Sequence, residues 1–507
     1  MAEYLSYGII GGSIIAIPLI FDLVIHFIAR LGILPQSIIS ADAGQVSSDD
    51  RASHRLYRPW ILPKRMADLD VTKGFAIIAM IFVNYGGGKL PMFEHRVWDG
   101  LVIADVVFPL FVFASGVSHA ISTTLSIRRN ETFKRKFFSM LLRTIQLIFL
   151  GMIINKNKDW ENFRIMGVLQ RFALCQLLFF LIHHCTRGST LKCYITNDTE
   201  KRTIFKLIRI RELAIVFGLV LAATLAMLFV KLEGCPRGYL GPGGYFDKDL
   251  GRYANCTGGL ERFVDAAILG NNHLYNNPTC RKEIYCFLNF DPEGLYSTIF
   301  ALINYAIGFQ IGVFIVFART ERQAIVSSLA TGGLLSVIGV IQILFTSIQL
   351  NKNLWTPSFA LITTSISIVT YIVIRLIFVF SNLKLFRLLS MAGEQCLDIY
   401  VASELIQGIV PTSLPVPPDA KYGSSSLELS LATLWSAYFI AILNAIRMMM
   451  KSYWSARPRL PPDSLEDLGH YGVAFGNDAG EDRTSEEDDL LVEPLLPREH
   501  QNYVVNG

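Results

Sequence analysis

Long apolar stretches alternate with short polar segments along most of the chain. Eleven of these stretches approach the roughly 20 residues that a helix needs to cross a bilayer. They lie at 8–28, 71–87, 99–125, 137–154, 166–184, 212–231, 294–318, 324–348, 357–380, 387–408 and 428–449. The pattern therefore predicts an all-α fold, a polytopic membrane helical bundle with about 11 transmembrane helices.

The composition supports the same interpretation and excludes several classes of protein. The chain has 507 residues, of which 52% are hydrophobic and 17% are charged, and its mean hydropathy is +0.40. Soluble domains carry about 25% charged residues, so an ordinary soluble enzyme, a fibrous protein and a disordered protein are excluded. The formal net charge of +4 is too small to indicate a nucleic-acid partner.

The basic residues predict how the bundle is oriented. One set of alternate loops is rich in Lys and Arg, and it comprises the loops within 30–65, 128–136, 187–211, 319–322 and 384–387. The opposite short loops hold only Lys89, Arg96, Lys156, Lys158, Arg164, Lys352 and Lys421. Because basic loops stay in the cytosol, we expect a luminal N-terminus, a sizeable luminal loop at 232–293 and a cytosolic C-terminus.

This orientation predicts three regions along the chain. Residues 1–65 form an N-terminal anchor helix and a cytosolic loop, residues 66–450 form the transmembrane domain, and residues 451–507 form a disordered acidic cytosolic tail. Four of the eight cysteines fall in the luminal loop, where disulfides persist. The sequon at Asn255 lies in the same loop and is the one expected to carry a glycan.

Several polar groups interrupt the apolar stretches, where they are costly and mark a functional site or a structural ion pair. They are Asn84, Asp105, Arg171, Arg375, Glu394, Asp398 and Glu404, and His95 follows in the short luminal turn. The residues alone leave both interpretations open, and His95 also fits an ordinary surface histidine. The sequence has no Walker loop, no dinucleotide fingerprint and no metal-spaced Cys/His set, so no metal is expected.

A series of short motifs resembles one known family. They are FVNYGGG, MFEHRVWDG, ADVVFP, RIMGVLQRFAL, GCPRGYLGPGG, NCTGG, ILGNNHLY, DPEGLYST and NKNLW. In their order, between about residues 66 and 410, they resemble the heparan-α-glucosaminide N-acetyltransferase family. The resemblance implies a lysosomal or vacuolar membrane enzyme. Such an enzyme transfers acetyl from cytosolic acetyl-CoA, its co-substrate, to the amino group of a terminal glucosamine on a luminal heparan sulfate-like glycan.

The resemblance also implies roles for individual residues. His95 matches the family's catalytic histidine, Asn84 and Asp105 match residues of its reaction centre, and Arg171, with the adjacent Gln170, matches the donor-binding region. His95 then acts as a general base or as an acetyl acceptor, and we favour direct transfer. The alternatives are acyl transfer to another luminal acceptor and a transporter or receptor on the same scaffold.

Two further expectations concern the cysteines and the tail. Cys235 and Cys256 lie in motifs shared with the family, whereas Cys280 and Cys286 lie in a stretch peculiar to this chain. Of the three possible connectivities of these four cysteines, we predict the pairs Cys235–Cys256 and Cys280–Cys286. In the tail, Glu486, Leu490 and Leu491 resemble an acidic dileucine signal that cytosolic adaptors bind. The expected partners are therefore acetyl-CoA, a luminal amino-sugar glycan, membrane lipid and a sorting adaptor, and a homodimer is left open.

Overall fold

The structure, a computed structural model, describes residues 66–84, 91–155, 161–186, 207–244, 252–281, 288–318, 320–346, 348–380, 389–390 and 392–406. Its helices are α1 (Ala67–Asn84), α2 (Ile103–Arg128), α3 (Phe133–Ile154), α4 (Val168–Cys185), α5 (Ile210–Phe229), α6 (Gly259–Leu269), α7 (Leu295–Phe317), α8 (Glu321–Phe345), α9 (Pro357–Phe380) and α10 (Cys396–Ile406). Short 3-10 turns lie at Pro91–Phe93, Ala254–Cys256, Asn271–His273 and Thr279–Arg281. No strand forms within the described part of the chain, so the predicted all-α fold is confirmed.

Seven of the described helices are long and apolar enough to cross a membrane: α2, α3, α4, α5, α7, α8 and α9. The predicted span 71–87 corresponds to α1, which is less uniformly apolar because Asp68, Asp70 and Lys73 lie in its first two turns. The predicted span 387–408 contains the 11 residues of α10. The spans 8–28 and 428–449 lie outside the described residues, so the total of eleven stays a prediction.

Helix α7 forms the centre of the bundle, since almost every side chain from Tyr296 to Phe317 is buried. It packs against α2, α4, α5 and α9. Glycines allow its closest approach to α2: a Cβ added to Gly308 would lie 2.2 Å from the carbonyl oxygen of Phe113, and one added to Gly116 would lie 2.1 Å from that of Tyr305. Small residues at crossing points are a common means of helix association in membranes.

Helices α3, α5 and α8 lie at the periphery and present large apolar side chains outward. The exposed side chains include Phe138, Ile145 and Phe149 on α3, Leu221 and Phe229 on α5, and Leu334, Val337 and Leu344 on α8. Such continuous apolar faces are unusual on monomeric soluble proteins but suit contact with lipid. The outer surface therefore supports a multi-pass membrane protein.

The connections at one end of the bundle form a layer that we call the disulfide-bearing end, and it comprises residues 91–102, 161–167, 230–294 and 348–356 as far as they are described. Hydrogen bonds join these segments, for example between the Gly100 N–H and the Leu350 carbonyl. Cys235 and Cys256 form a disulfide there, as predicted. Cys280 is also disulfide-bonded. Since Cys286 lies outside the described residues, the Cys280–Cys286 pair stays a prediction.

Two ion pairs, one buried and one partly exposed, hold the opposite end together. Arg375 on α9 binds Asp68 at the start of α1 and Glu321 at the start of α8. These contacts join three helices, so the charge of Arg375 has a structural explanation. Successive connections between the described spanning helices lie at alternate ends of the bundle, in agreement with the predicted loop pattern. The compartment that each end faces stays a prediction.

Candidate active site

The turn that carries His95 is held against its neighbours on both sides. On its N-terminal side, the ring of Phe93 packs edge-on against Phe82 of α1, with 5.0 Å between the ring centroids. On its C-terminal side, the buried indole of Trp98 donates a hydrogen bond of 2.9 Å to the carbonyl of Leu240. These contacts place His95 at the disulfide-bearing end, next to the start of α2.

His95 and Asp105 form a hydrogen-bonded pair. The Nδ1 atom of His95 lies 2.8 Å from Oδ1 of Asp105, whose side chain is completely buried in the first turn of α2. The other carboxylate oxygen accepts the backbone N–H of Val102 at 3.3 Å. A carboxylate is favoured at a helix N-terminus by the unpaired N–H groups and the helix dipole. Asp105 is therefore well placed to orient the imidazole ring through Nδ1.

Lys352 completes this cluster and was not among the residues predicted for the site. Its Nζ atom lies 3.0 Å from each ring nitrogen of His95 and 3.8 Å from Oδ1 of Asp105. The sequence contained one signal: Lys352 belongs to the NKNLW motif, but there it counted only as a charge in a luminal loop. Burial lowers the pKa of His95 below its ordinary value and the Lys352 ammonium lowers it further, against the opposing effects of Asp105 and Glu293.

Asn84, predicted to belong to the reaction centre, lies at the C-terminal end of α1. Its side-chain amide donates a hydrogen bond of 2.8 Å to Oε1 of Glu404 on α10. Glu404 lines a cavity of about 520 Å³ whose polar lining also includes Asn155, Asn162, Gln170, Tyr275 and Asn276. Gln170, predicted to bind the donor, thus faces a cavity rich in amide groups. His95 itself is not among the described residues that line it.

Arg164 also lines this cavity, but its charge is paired. Its guanidinium donates to both carboxylate oxygens of Asp291, at 2.9 and 2.6 Å, and to Glu293 at 2.5 Å. It also lies over the ring of Tyr275, 4.2 Å from the centroid. Bidentate arginine–carboxylate pairs are strong and geometrically specific, so Arg164 holds the 288–294 segment against the 161–167 segment.

Arg171 is buried beneath the site. Its guanidinium donates to the carbonyl of Pro292 at 2.7 Å and to the hydroxyl of Ser297, and it lies 4.7 Å from the ring centroid of Trp355. It lines neither this cavity nor the second one described below. These contacts connect α4 to the start of α7 and to the Lys352 turn. The predicted role of Arg171 in donor binding stays a prediction.

A second cavity, of about 190 Å³, extends from the first toward the opposite end of the bundle. The two cavities share Val168, Leu169 and Tyr400 in their linings. The polar side chains of the second cavity include Lys73, Ser115, Ser118, His119, Ser122, Arg143 and Gln176. The two cavities are therefore adjacent to each other in the interior of the bundle.

The described part of the chain contains no group of three or more His, Cys, Asp or Glu side chains arranged to hold a metal ion. Of the predicted site residues, His95 and Asp105 are in contact, Asn84 binds Glu404, Gln170 lines the larger cavity, and Arg171 lies below the site. The arrangement provides a partly exposed base with a buried orienting carboxylate, a neighbouring ammonium, and two adjacent cavities. Such a set of groups suits proton removal during a group-transfer reaction.

Comparison with known proteins confirms the resemblance noted in the sequence. Residues 65–197 match the family described as "Heparan-alpha-glucosaminide N-acetyltransferase, catalytic". The chain is 31% identical over 400 residues to heparan-alpha-glucosaminide N-acetyltransferase from Mus musculus and 32% identical over 402 residues to that from Homo sapiens. These alignments cover 73% and 74% of this chain but 58% of each relative, so the chain spans little more than half the length of the relatives it matches.

Proposed function

From this similarity and the geometry of the site, we propose that the chain is a transmembrane N-acetyltransferase. It takes acetyl from acetyl-CoA on the cytosolic side and transfers it to the amino group of a terminal glucosamine on a luminal glycan of the heparan sulfate type. The observation that carries the proposal is the buried Asp105 carboxylate, which lies 2.8 Å from Nδ1 of a partly exposed His95. This pair matches what an amine acetylation requires, namely a base whose protonated form is stabilised.

The reaction needs one bond to form and one to break. The neutral amine of the sugar attacks the carbonyl carbon of the thioester, a C–N bond forms, and the C–S bond breaks to release CoA as a thiolate. Nε2 of His95 accepts the proton that the amine loses and then returns it to the thiolate. Asp105 stabilises the imidazolium in between, because the opposite charge is held close to it in a buried position.

The carbonyl oxygen becomes negatively charged during the attack and needs a hydrogen-bond donor. The side-chain amide of Asn84 is our candidate for this role. In the structure it donates to Glu404 at 2.8 Å, which orients the amide and prevents its free rotation. Such preorganisation is what makes a donor effective in the transition state.

The larger cavity is the proposed acceptor site. Amide side chains such as Asn155 and Asn276 both donate and accept hydrogen bonds, which suits the hydroxyl groups of a sugar. The carboxylate of Glu404 suits an amino group that arrives with a positive charge. The paired guanidinium of Arg164 leaves the lining with little net positive charge, which favours an amino sugar over a strongly sulfated residue.

The smaller cavity is the proposed donor route. Its serines and His119 provide hydrogen-bonding groups along a narrow path that an extended pantetheine chain can follow. Lys73, in the second turn of α1, and Arg143, midway along α3, line this cavity, and we expect them to bind the phosphates of acetyl-CoA. The buried contacts of Arg171 support a structural role, so we propose Lys73 and Arg143 for the phosphates in its place.

The cellular setting follows from the same proposal. The disulfide-bearing end faces the lumen of a lysosome or vacuole, because it holds the Cys235–Cys256 disulfide and the exposed sequon at Asn255. The proposed sorting signal of Glu486, Leu490 and Leu491 lies outside the described residues. Its function requires a cytosolic tail.

Labelled acetyl-CoA and a terminal glucosaminide, incubated with the purified protein, test the proposed function directly. We expect acetylated sugar with the wild-type protein and with Glu94→Ala, an exposed neighbour in the same turn. We expect none with His95→Ala. Turnover by His95→Ala at the wild-type rate contradicts the proposed role of the histidine. Binding of CoA without transfer to any amino sugar contradicts the proposed acceptor. Acceptors with a hydroxyl group would then be tested in the same assay.

The same assay without acceptor distinguishes the two chemical routes. Direct transfer predicts that no label stays on the protein after removal of free acetyl-CoA. A covalent intermediate predicts label on the peptide that contains His95, and its release on addition of the sugar. We favour direct transfer because it needs His95 only as a proton acceptor, and Asp105, 2.8 Å from Nδ1, is placed to stabilise the imidazolium that forms.

A further inference from the structure

We propose that Lys352 is a positioning residue that keeps His95 in its neutral form, so that the histidine can accept a proton in an acidic compartment. This inference rests on the proposed function, because it concerns the base of that reaction. A histidine beside a buried carboxylate alone becomes protonated more easily. An enzyme that works in acid therefore needs an opposing influence on the ring, and the structure provides one.

The Lys352 turn is attached directly to the His95 turn. The Gly100 N–H donates to the carbonyl of Leu350 at 2.7 Å, and the Asn353 side-chain amide donates to the carbonyl of Val97 at 2.9 Å. Between these two bonds, the side chain of Asn351 donates to Asp99 at 3.1 Å. These three hydrogen bonds attach the residues on either side of Lys352 to the His95 turn, so that the Lys352 side chain is held over the His95 ring.

The turn itself is held in an unusual conformation. Trp355 has a φ of +48°, in the left-handed region that non-glycine residues rarely adopt. Its buried indole donates to Oδ1 of Asn304 at 3.1 Å, and the side chain of Asn351 accepts the Leu354 N–H at 2.9 Å. Strained backbone of this kind persists only where the surroundings impose it, and it is common at functional sites.

The chemistry of the two side chains explains the selection of neutral His95. Nζ of Lys352 lies 3.0 Å from both ring nitrogens of His95, which places the ammonium over the face of the imidazole and not in line with either nitrogen lone pair. It therefore acts on the ring through its charge, while Nδ1 contacts Asp105 and Nε2 is left to accept the substrate proton. A protonated ring would hold a second positive charge at this distance and is disfavoured by repulsion. Once His95 has taken the substrate proton, Asp105 at 3.8 Å offers the ammonium an alternative acceptor.

The charged groups around His95 come from three elements. Asp105 on α2 and Glu293 in the 288–294 segment favour the protonated ring, and Lys352 opposes them. Glu94 and Arg96, in the same turn as His95, are exposed to solvent. Arg164 binds Glu293 at 2.5 Å and so reduces the influence of that carboxylate. Burial of the ring acts in the same direction as Lys352.

The state of Lys352 itself depends on the same acidic groups. Burial lowers the pKa of Lys352, and the neighbouring guanidinium of Arg171 acts in the same direction. Asp105 and Glu293 oppose this shift and favour the charged ammonium. The same two carboxylates that favour a protonated His95 thus also favour the charge on Lys352 that opposes it.

The test measures the protonation of His95 without relying on catalysis. Diethyl pyrocarbonate reacts only with neutral imidazole, so its rate at His95, followed by mass spectrometry across a pH series, reports the midpoint of protonation. We expect Lys352→Met to raise this midpoint by about one pH unit or more, since a close like charge shifts a pKa by this amount, and Lys352→Arg to preserve it. His273, whose Nδ1 lies 2.9 Å from the carbonyl of Phe163, provides an internal reference that should not move.

An unchanged or lowered midpoint in Lys352→Met, with an unchanged His273, overturns the inference. If the methionine variant fails to fold, Lys352→Gln removes the same charge and is interpreted in the same way. The acidic limb of the kcat/KM profile provides the second measurement. We expect it to move to higher pH in Lys352→Met and to lie at the wild-type pH in Lys352→Arg. A decrease of kcat/KM by the same factor at every pH overturns the positioning role of Lys352. A wild-type protein that transfers no acetyl while the midpoint still shifts overturns the proposed function alone.

Discussion

Replacing Asp105 with asparagine removes a single charge from the centre of the site while preserving its shape. Oδ1 of Asp105 lies 2.8 Å from Nδ1 of His95, and the side chain is inaccessible to solvent. An opposite charge this close raises a histidine pKa by about 1–3 units, which corresponds to about 1.4–4 kcal/mol of stabilisation of the imidazolium. If the imidazolium is fully formed in the transition state, losing this stabilisation slows acetyl transfer by about 10-fold to 1000-fold.

The pH dependence gives this prediction a direction as well as a size. Asp105 raises the pKa of His95, so its removal should lower that pKa and move the acidic limb of kcat/KM to lower pH. The maximal rate should fall at the same time. Lys352→Met should move the limb the opposite way, which distinguishes the two substitutions from a general loss of structure.

The assay follows acetyl transfer from labelled acetyl-CoA across a pH series. Glu94→Gln provides the matched control, because it removes one negative charge from an exposed position of the same turn. A wild-type rate in Asp105→Asn, or an acidic limb that moves to higher pH, would refute the proposed role of Asp105. Retained CoA binding by the variant shows that the bundle is intact.

Three further predictions concern the bundle and its orientation. Gly308→Ala should destabilise the protein in detergent by about 1–3 kcal/mol, because the added Cβ would lie 2.2 Å from the Phe113 carbonyl oxygen. Gly218→Ala is the control, since a Cβ there has no neighbour within 4 Å, and equal melting temperatures of the two variants would contradict this packing. Burial raises the pKa of Asp265 to about 7, so its contribution to stability is complete below the unfolded value of 3.8 and is lost as the pH rises through about 7. Thermal unfolding should therefore occur at lower temperature at about pH 8 than at about pH 5, and Asp265→Asn should reduce that difference. Asn255→Gln should remove a glycan and increase electrophoretic mobility, and a wild-type protein unaffected by glycosidase would count against a luminal position for this loop.

Much of the architecture was predictable because it depends on local composition. A bilayer requires long apolar helices, and the apolar stretches at 99–125, 137–154 and 294–318 correspond closely to α2, α3 and α7. The end of the bundle at which each loop lies was also predictable, since each spanning helix takes the chain from one side of the membrane to the other. The Cys235–Cys256 disulfide followed from motifs shared with a known family.

The candidate site was only partly predictable. His95 and Asp105 are 10 residues apart, and a short turn before α2 brings them together. Lys352 is 257 residues from His95, and no periodicity or spacing indicates which of many loop lysines reaches the ring. Glu404 is 320 residues from Asn84, and its position in an apolar stretch indicated only that it needed a partner.

The sequence by itself determined the class of fold, the alternation of the loops and the identity of a histidine with a nearby carboxylate, because each follows from local hydrophobicity or from a contiguous motif. The tertiary structure alone decided that Lys352 lies beside His95, that Arg171 supports α7 from below the site, and that two cavities share Val168, Leu169 and Tyr400 in their linings. These features depend on how helices distant in the sequence pack against one another. Packing of this kind depends on the shapes of side chains at many contacts, and the pattern of apolar and polar residues along one chain does not predict it.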